Sequence, residues 1–213
     1  MRAAAAALLA LACLAAPAPA QDVRARQNLE YRLIAPQPVE TGEAIEVIEF
    51  FWYGCPYCNA LQPALEGWLK RKPGDVQLRR VPAILRDSWA PHARIFYALE
   101  RLNELERLHL RVYDGYHLEK LHMSKPDVIV EWAVRNGVDR QRWLDAFDSP
   151  EVTAMVEHAR RLTRDYTVEV TPTLVVDGRY LTSGSYVPCC DVRDVVPILE
   201  DVIRIARRNR PGR

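Results

Sequence analysis

Apolar residues along the first third of the chain follow the pattern of a strand, a helix and a second strand. Residues 45–51 form an apolar run with β-branched and aromatic side chains over the length of a strand, which predicts a buried central strand. Apolar residues then recur at helical spacing from Leu61 to Leu69, until Lys72-Pro73-Gly74 ends the helix. A second strand is predicted over Val76 to Val81. Because a helix joins them, we expect parallel strands with a right-handed crossover.

A long helical segment follows. Helical periodicity runs from about Ser88 to Asp165, and typical capping residues divide it, namely Asn136-Gly137, Asp139 and Ser149-Pro150. We therefore expect a cluster of helices between the second strand and the next part of the sheet.

The end of the chain returns to strands. Two short strands, Thr173 to Val176 and Arg179 to Thr182, flank the hairpin signal Asp177-Gly178, and a last amphipathic helix runs through Val195 and Ile203. An edge strand is also expected near Tyr31 to Ile34. This order predicts an α/β, thioredoxin-like fold with an inserted helical domain. The thioredoxin-like part takes residues 21–87 and 166–213, and the insertion takes 88–165.

The first 20 residues have the pattern of a secretory signal peptide. Met1-Arg2 precedes an apolar run from Ala3 to Ala16, and Ala18-Pro19-Ala20 is a cleavage signal, so we expect export and cleavage near Ala20. The run is shorter than the roughly 20 residues of a membrane-spanning helix. Cys13 has alanine rather than leucine three residues before it, which does not favour lipidation.

Charge and cysteine content narrow the classes of function. The chain has 29 Lys and Arg against 28 Asp and Glu, and loss of Arg2 with the signal peptide balances the two, which argues against a nucleic-acid partner. Cys55, Cys58, Cys189 and Cys190 remain after cleavage. In an exported protein, disulfide chemistry is the first explanation for such cysteines.

Cys55-Pro56-Tyr57-Cys58 lies where the first long strand meets its helix. Free backbone N–H groups and the helix dipole favour an anion at that point, so the pKa of Cys55 should fall below its free value of about 8.5 and Cys55 should be the nucleophile. Cys58 is one turn further on and is expected to be more buried and to resolve a mixed disulfide. This interpretation requires Cys55 to be accessible and ionised near neutral pH. A C-x-x-C pair also occurs in zinc sites and structural disulfides.

Three segments of the chain carry a resemblance to a known family. Residues 49–58, 170–173 (Val-Thr-Pro-Thr) and 176–180 (Val-Asp-Gly-Arg-Tyr), together with the helical segment, resemble the DsbA family of periplasmic thiol:disulfide interchange proteins over nearly all of residues 44–208. The resemblance implies a monomeric dithiol oxidase without a cofactor or metal. It would pass the Cys55–Cys58 disulfide to unfolded exported proteins in the periplasm, and the membrane quinone reductase DsbB would reoxidise it.

The same resemblance assigns roles to the residues around the cysteines. In such enzymes the proline that corresponds to Pro172 is cis and faces the cysteine pair, and the peptide before it, here at Thr171, pairs with an extended substrate. From the residues alone, Pro172 could equally mark only the start of a strand. Pro56 and Tyr57 would also contact the substrate. A strongly lowered cysteine pKa and an oxidising potential are traits of the family.

The chain departs from the family pattern at two positions. Family members commonly have histidine where this chain has Tyr57, and a positive histidine stabilises the thiolate. We therefore expect a less oxidising protein and a higher pKa of Cys55 than in a relative with histidine. Pro63 is predicted to kink the first helix.

Glu49 matches the family's buried acidic residue, which relays protons to the second cysteine. The alternative is a glutamate that faces water at the edge of the strand. Either Arg79 or Arg80 on the next strand is a candidate basic partner.

Cys189-Cys190 has no counterpart in this interpretation. The pair could form a strained vicinal disulfide, act as a second redox relay, or join another molecule. A disulfide isomerase or reductase of the same fold is the alternative function, and a four-cysteine zinc site is a third one. The histidines, which include His92, His109 and His117, show no ligand spacing with the cysteines and are expected to be solvated or to pack between helices.

Overall fold

The computed structural model describes residues 25–186 and 191–210. Within these residues the chain forms five strands, β1 (Tyr31–Leu33), β2 (Ile45–Phe51), β3 (Val76–Pro82), β4 (Thr173–Val176) and β5 (Tyr180–Ser183). The helices are α1 (Pro56–Leu69), α2 (Ala90–Arg101), α3 (Leu105–His117), α4 (Pro126–Arg135), α5 (Arg140–Phe147), α6 (Pro150–Asp165) and α7 (Val195–Asn209). The predicted signal peptide and Cys189-Cys190 lie outside the described residues. No helix in the described part is both long and apolar enough to span a bilayer.

The five strands form one sheet in the order β1-β5-β4-β2-β3. β2 and β3 are parallel, as expected for strands that a helix connects, whereas β4 pairs antiparallel with β2 and with β5. β1 pairs antiparallel with β5 at one edge, which confirms the predicted edge strand. The fold is thus α/β and thioredoxin-like, as the sequence predicts.

Helices cover both faces of the sheet. Ile45 and Val47 point to the side that α1 and α7 cover, where they share a buried cluster with Trp68 and Leu199. Ile48 and Phe50, with the opposite parity, belong to a second cluster formed with α2 to α6. Because β2 is covered on both faces, all seven of its residues are buried, which explains the nearly continuous apolar run in its sequence. The sheet and the helical segment share this second cluster, and the division at residues 88–165 into a separate domain stays a prediction.

Local signals mark the ends of several elements. Asp139 and Ser149 accept hydrogen bonds from Arg142 N–H and Val152 N–H and cap α5 and α6, as predicted. Asp177 and Gly178 have φ values of 54° and 63°, as a tight hairpin turn requires. A Cβ on Gly178 would lie 2.3 Å from the Gln37 carbonyl oxygen, so only glycine fits there.

Candidate active site

The cysteine pair lies at the carboxyl end of β2, where the chain turns into α1. The Cys55 N–H donates to the Trp52 carbonyl at 2.9 Å, which forms the turn, and Cys55 is then the N-cap of α1 with extended backbone angles. Pro56 occupies the first turn, where its missing N–H costs no hydrogen bond. The Cys58 N–H points back at Cys55 Sγ, with nitrogen and sulfur 3.4 Å apart. The helix therefore presents its free N–H groups to one sulfur only.

Cys55 is the acidic thiol of the pair. Its pKa falls from 9.0 to about 6, chiefly because the Cys58 side chain hydrogen bonds to it, with further help from Thr171 and from the N–H groups of Cys58 and Tyr57, while burial opposes the shift. A thiol with this pKa is mostly thiolate at neutral pH, as the interpretation of the sequence requires. Cys55 is only 6% exposed, however, so its sulfur is less accessible than that interpretation requires.

Cys58 has the opposite character. It is completely buried, and burial raises the pKa of its thiol well above the ordinary value, as does the neighbouring Cys55. Both thiols are free, so the structure represents the reduced dithiol form. One turn of helix thus separates a thiolate from a protonated thiol.

The Thr171–Pro172 peptide bond lies opposite Cys55 and is cis. The Thr171 carbonyl oxygen is 3.2 Å from Cys55 Sγ and accepts a hydrogen bond from it while the sulfur is protonated. Ser183 Oγ, on β5, donates to the Pro172 carbonyl at 2.7 Å and holds this loop on the sheet. The structure therefore brings Cys55 and Cys58 together with Thr171 and Pro172, which lie more than 100 residues further along the sequence.

Glu49 is fully buried beneath the cysteines, so the water-facing alternative is wrong. Gln62 Nε2 donates to Glu49 Oε1 at 2.9 Å, and Arg80 Nε donates to Oε2 at 3.0 Å. Arg80 also contacts Glu66 at 2.7 Å, whereas Arg79 pairs with Glu46. Burial raises the pKa of Glu49 despite the nearby Arg80. The basic partner is therefore Arg80, and Gln62 and Glu66 are further members of the network that the sequence analysis did not identify.

Aromatic residues surround the loop between β2 and α1. Tyr57 is 65% exposed and stands out from the surface beside Cys55. Trp52 is half-buried and stacks on Trp89, with ring centroids 4.1 Å apart. Tyr53 points inward and is completely buried. Tyr57 is thus available to a partner molecule, while Tyr53 belongs to the core.

Two of the histidines hydrogen bond to Tyr53. The Tyr53 hydroxyl lies 2.9 Å from His109 Nδ1, and the Tyr53 carbonyl lies 2.8 Å from His117 Nε2. Tyr113 packs edge-on against the Tyr53 ring. Positions 109, 113 and 117 are spaced by four residues on α3, so a search for polar residues on the buried face of this helix would have found them. In the described residues no group of three or more His, Cys, Asp or Glu could hold a metal ion.

The chain is similar to proteins of one family in both sequence and structure. The DSBA-like thioredoxin domain family matches residues 75–188. A thiol:disulfide interchange protein DsbA from Burkholderia cepacia is 35% identical over 179 residues, which cover 84% of this chain and 81% of that protein. The protein of the same name from Bordetella pertussis is 38% identical over 179 residues, which cover 83% of this chain and 85% of that protein.

Solved structures give the same result. The crystal structure of Pseudomonas aeruginosa DsbA superposes with a TM-score of 0.80 at 30% identity and covers 86% of this chain and 95% of that chain. The oxidoreductase DsbA from Xylella fastidiosa superposes with a TM-score of 0.76 at 29% identity and covers 84% and 96% of the two chains.

Proposed function

The chain belongs to the DSBA-like thioredoxin domain family, and we propose that it is a thiol–disulfide oxidoreductase that oxidises exported proteins with its Cys55–Cys58 disulfide. The observation that carries the proposal is the contrast between the two thiols, because the pKa of Cys55 is about 6 while the pKa of Cys58 lies well above its ordinary value. A disulfide whose reduced form contains a stabilised thiolate is a strong oxidant. The isomerase or reductase alternative is not favoured, since the relatives at 33% to 38% identity are named DsbA.

Oxidation proceeds by two exchanges at sulfur. A client thiolate attacks Cys55 Sγ of the oxidised protein, which breaks the Cys55–Cys58 bond, forms a mixed disulfide and releases Cys58 as a thiolate that takes up a proton. A second client thiolate then attacks the client sulfur of the mixed disulfide and releases Cys55. The client gains a disulfide and gives up two electrons and two protons, and the protein ends as the dithiol. Cys55 is the good leaving group because its thiolate is the stable one.

The surrounding residues serve binding and proton transfer. The backbone at Thr171 and Pro172 receives the extended client by strand addition, and exposed Tyr57 with Pro56 contacts the residues beside the client cysteine. Glu49 supplies the proton that Cys58 takes up, because it is buried close to Cys58 and burial raises the pKa of its carboxyl group. In the reverse direction the same carboxylate accepts that proton.

The predicted signal peptide and the family support the proposed cellular setting. We place the mature protein in the periplasm as a monomer after cleavage near Ala20, with DsbB as its reoxidant. We also propose that Cys189-Cys190 takes part in a second disulfide, either within the pair or with another cysteine.

Oxidative refolding of a reduced protein with several disulfides tests the proposal. The oxidised chain should accelerate disulfide formation, whereas Cys55→Ser and Cys58→Ser, neither of which can form the Cys55–Cys58 disulfide, should abolish it. The Cys189→Ser/Cys190→Ser variant, run in parallel, should keep the activity if the pair is structural. Full activity in Cys55→Ser would refute the role of Cys55, whereas loss of activity in the double variant alone would move the redox centre to positions 189 and 190.

A further inference from the structure

The buried carboxyl group of Glu49 receives a hydrogen bond on each of its two oxygens. Arg80 on β3 donates to Oε2, and Gln62 on α1 donates from Nε2 to Oε1 at 2.9 Å. Glu49 is 0% exposed and Gln62 is 2% exposed, so the bond between them lies in the core. Arg80 compensates the charge of Glu49, whereas Gln62 is neutral. The proposed function gives Gln62 no role.

The hydrogen bonds of Gln62 determine the orientation of its amide group. Nε2 lies 2.9 Å from Glu49 Oε1 and 3.2 Å from the Cys58 carbonyl oxygen. A backbone carbonyl can only accept a hydrogen bond, so the amide must direct its nitrogen to it. The reversed amide would place its oxygen against that carbonyl. Gln62 is therefore a donor to Glu49.

The same amide connects Glu49 to the turn of α1 that carries Cys58. Gln62 follows Cys58 by four residues, so the two side chains lie on the same face of the helix. Burial raises the pKa of the Cys58 thiol, and the nearby Glu49 carboxylate raises it further. Because one amide group contacts both the carboxylate and the Cys58 carbonyl, it fixes the position of the carboxyl group relative to this cysteine.

Filling of the core does not explain a glutamine at position 62. Its Oε1 is buried and has no hydrogen-bond partner among the described residues, and such an atom is costly. A methionine has a similar size and would fill the same space without that cost. The benefit of the amide must therefore lie in its N–H groups, which reach Glu49 and Cys58.

The charges that act on Glu49 come from two side chains in the described part of the chain. Burial raises the pKa of Glu49, the charge of Arg80 and the hydrogen bond from Gln62 lower it, and Glu66 raises it. Three further titratable groups interact with Glu49, and burial raises the pKa of each well above its ordinary value, so they are neutral at pH 7. They are Cys58 on α1, Tyr53 after β2 and Tyr113 on α3.

We propose that Gln62 is a positioning residue that holds the Glu49 carboxyl group beside Cys58 and determines how tightly this group keeps the proton that it passes to the Cys58 thiolate. The inference rests on the proposed function, in which Glu49 is the proton donor. An N–H donor stabilises a carboxylate more than a neutral carboxyl group, so Gln62 makes Glu49 a stronger acid than burial alone would make it. As the Cys55–Cys58 bond breaks, the proton moves from the carboxyl oxygen to Cys58 Sγ. The carboxylate that remains is the form that Gln62 stabilises.

Nuclear magnetic resonance of the full reduced chain, isotopically labelled at the carboxyl carbon of glutamate, tests this inference. The signal of Glu49 is the one that Glu49→Gln removes. Gln62→Met keeps the size of the side chain but removes its N–H donors, so it should move the midpoint of the Glu49 titration up by about one to two pH units. An unchanged or lower midpoint would overturn the inference, because Gln62 would then only fill the core.

Two further variants separate this effect from changes in packing. Gln62→Asn keeps an amide but is too short to reach Glu49 Oε1, so it should also raise the midpoint, and it provides the test if Gln62→Met does not fold. Gln141→Met is the matched control, since Gln141 Nε2 donates to the Asp145 carboxylate at 2.8 Å on the exposed surface of α5. This control should leave the midpoint unchanged. An equal rise in the control would also overturn the inference.

The reaction of each oxidised protein with dithiothreitol distinguishes this inference from the proposed function. The rate constant per dithiothreitol thiolate should fall as the pH rises through the Glu49 midpoint, and in Gln62→Met this fall should move up together with the midpoint. If the midpoint moves while the rate profile does not, the result supports the hold of Gln62 on the carboxyl group and refutes the proton transfer proposed for Glu49.

Discussion

The pKa of Cys55 provides a quantitative test of the site. The interval between its ordinary value of 9.0 and its value of about 6 corresponds to about 4 kcal/mol in favour of the thiolate. The largest contribution is the hydrogen bond from the Cys58 side chain. A hydrogen bond to a charged group contributes about 1.5–3 kcal/mol, and a thiol is a weak donor, so its loss should raise the pKa by about one. Cys58→Ala should therefore titrate near a pKa of about 7.

The measurement follows the ultraviolet absorbance of the Cys55 thiolate from acid to alkaline pH. It should be made in the Cys189→Ser/Cys190→Ser background, so that other thiolates do not contribute. Cys58→Ser keeps a hydroxyl donor at the same position and should give a pKa between those of the parent and Cys58→Ala. If Cys58→Ala still titrates near the parent value, the free N–H groups of α1 suffice alone and the argument from the thiol hydrogen bond is wrong.

The same shift predicts how the stability of the reduced protein depends on pH. The folded-state pKa of Cys55 lies below its unfolded value, so its stabilisation is complete above pH 9 and is lost as the pH falls through about 6. The free energy of unfolding of the dithiol form should rise over this window by at most about 4 kcal/mol. The raised pKa of Glu49 acts in the opposite sense, but only the reduced protein has the Cys55 thiol. Denaturant unfolding of the reduced and oxidised proteins should therefore show the rise as a difference between them, and parallel profiles would contradict the argument.

Three further predictions concern single residues. Tyr57→His should raise the reduction potential, by about 30 mV for each tenfold change in the equilibrium constant with glutathione, and an unchanged or lower potential would contradict the role given to the missing charge. Arg80→Ala should lower the free energy of unfolding in urea by about 3–5 kcal/mol, because it leaves the buried Glu49 carboxylate uncompensated. Adding Glu49→Gln to this variant should restore part of that free energy. Gly178→Ala should destabilise by at least about 1 kcal/mol, since φ is positive and a backbone oxygen occupies the space of the Cβ. The control is Gly67→Ala in the middle of α1, where a Cβ meets nothing within 4 Å, and it should raise the free energy of unfolding by about 0.5–1 kcal/mol. If the two variants changed the free energy of unfolding equally, packing at position 178 would be unimportant.

The sequence predicted those parts of the fold that depend on neighbouring residues. The junction of β2 with α1 follows from an apolar run that ends just before Cys55 and from Pro56 in the first turn. The hairpin follows from Asp177-Gly178, which needs positive φ at both positions. Each of these signals acts within a few residues, so no knowledge of distant contacts was needed.

Contacts between distant segments were harder to predict. The choice between Arg79 and Arg80 depends on the register of β3 against β2, and a displacement by one residue would have sent the other arginine to Glu49. The burial of His109 against Tyr53 depends on how α3 packs on the end of β2, which no local pattern contains. The resemblance to the DsbA family supplied the cis geometry at Pro172, because an X–Pro bond is mostly trans when judged from the sequence alone.

Burial affects the two cysteines in the same direction, and the hydrogen bonds and charges around each sulfur distinguish them. Loss of water raises the pKa of a thiol, and it does so at both positions. At Cys55 the donors from Cys58, Tyr57 and Thr171 outweigh burial, whereas at Cys58 the neighbouring sulfur adds to it. The position of Cys55 as N-cap directs the Cys58 and Tyr57 N–H groups to its sulfur, because the free N–H groups of a helix point out of its first turn. A cysteine that is only 6% exposed can therefore remain the thiolate of the pair, and the start of α1, rather than exposure to water, makes Cys55 the leaving group when the client disulfide forms.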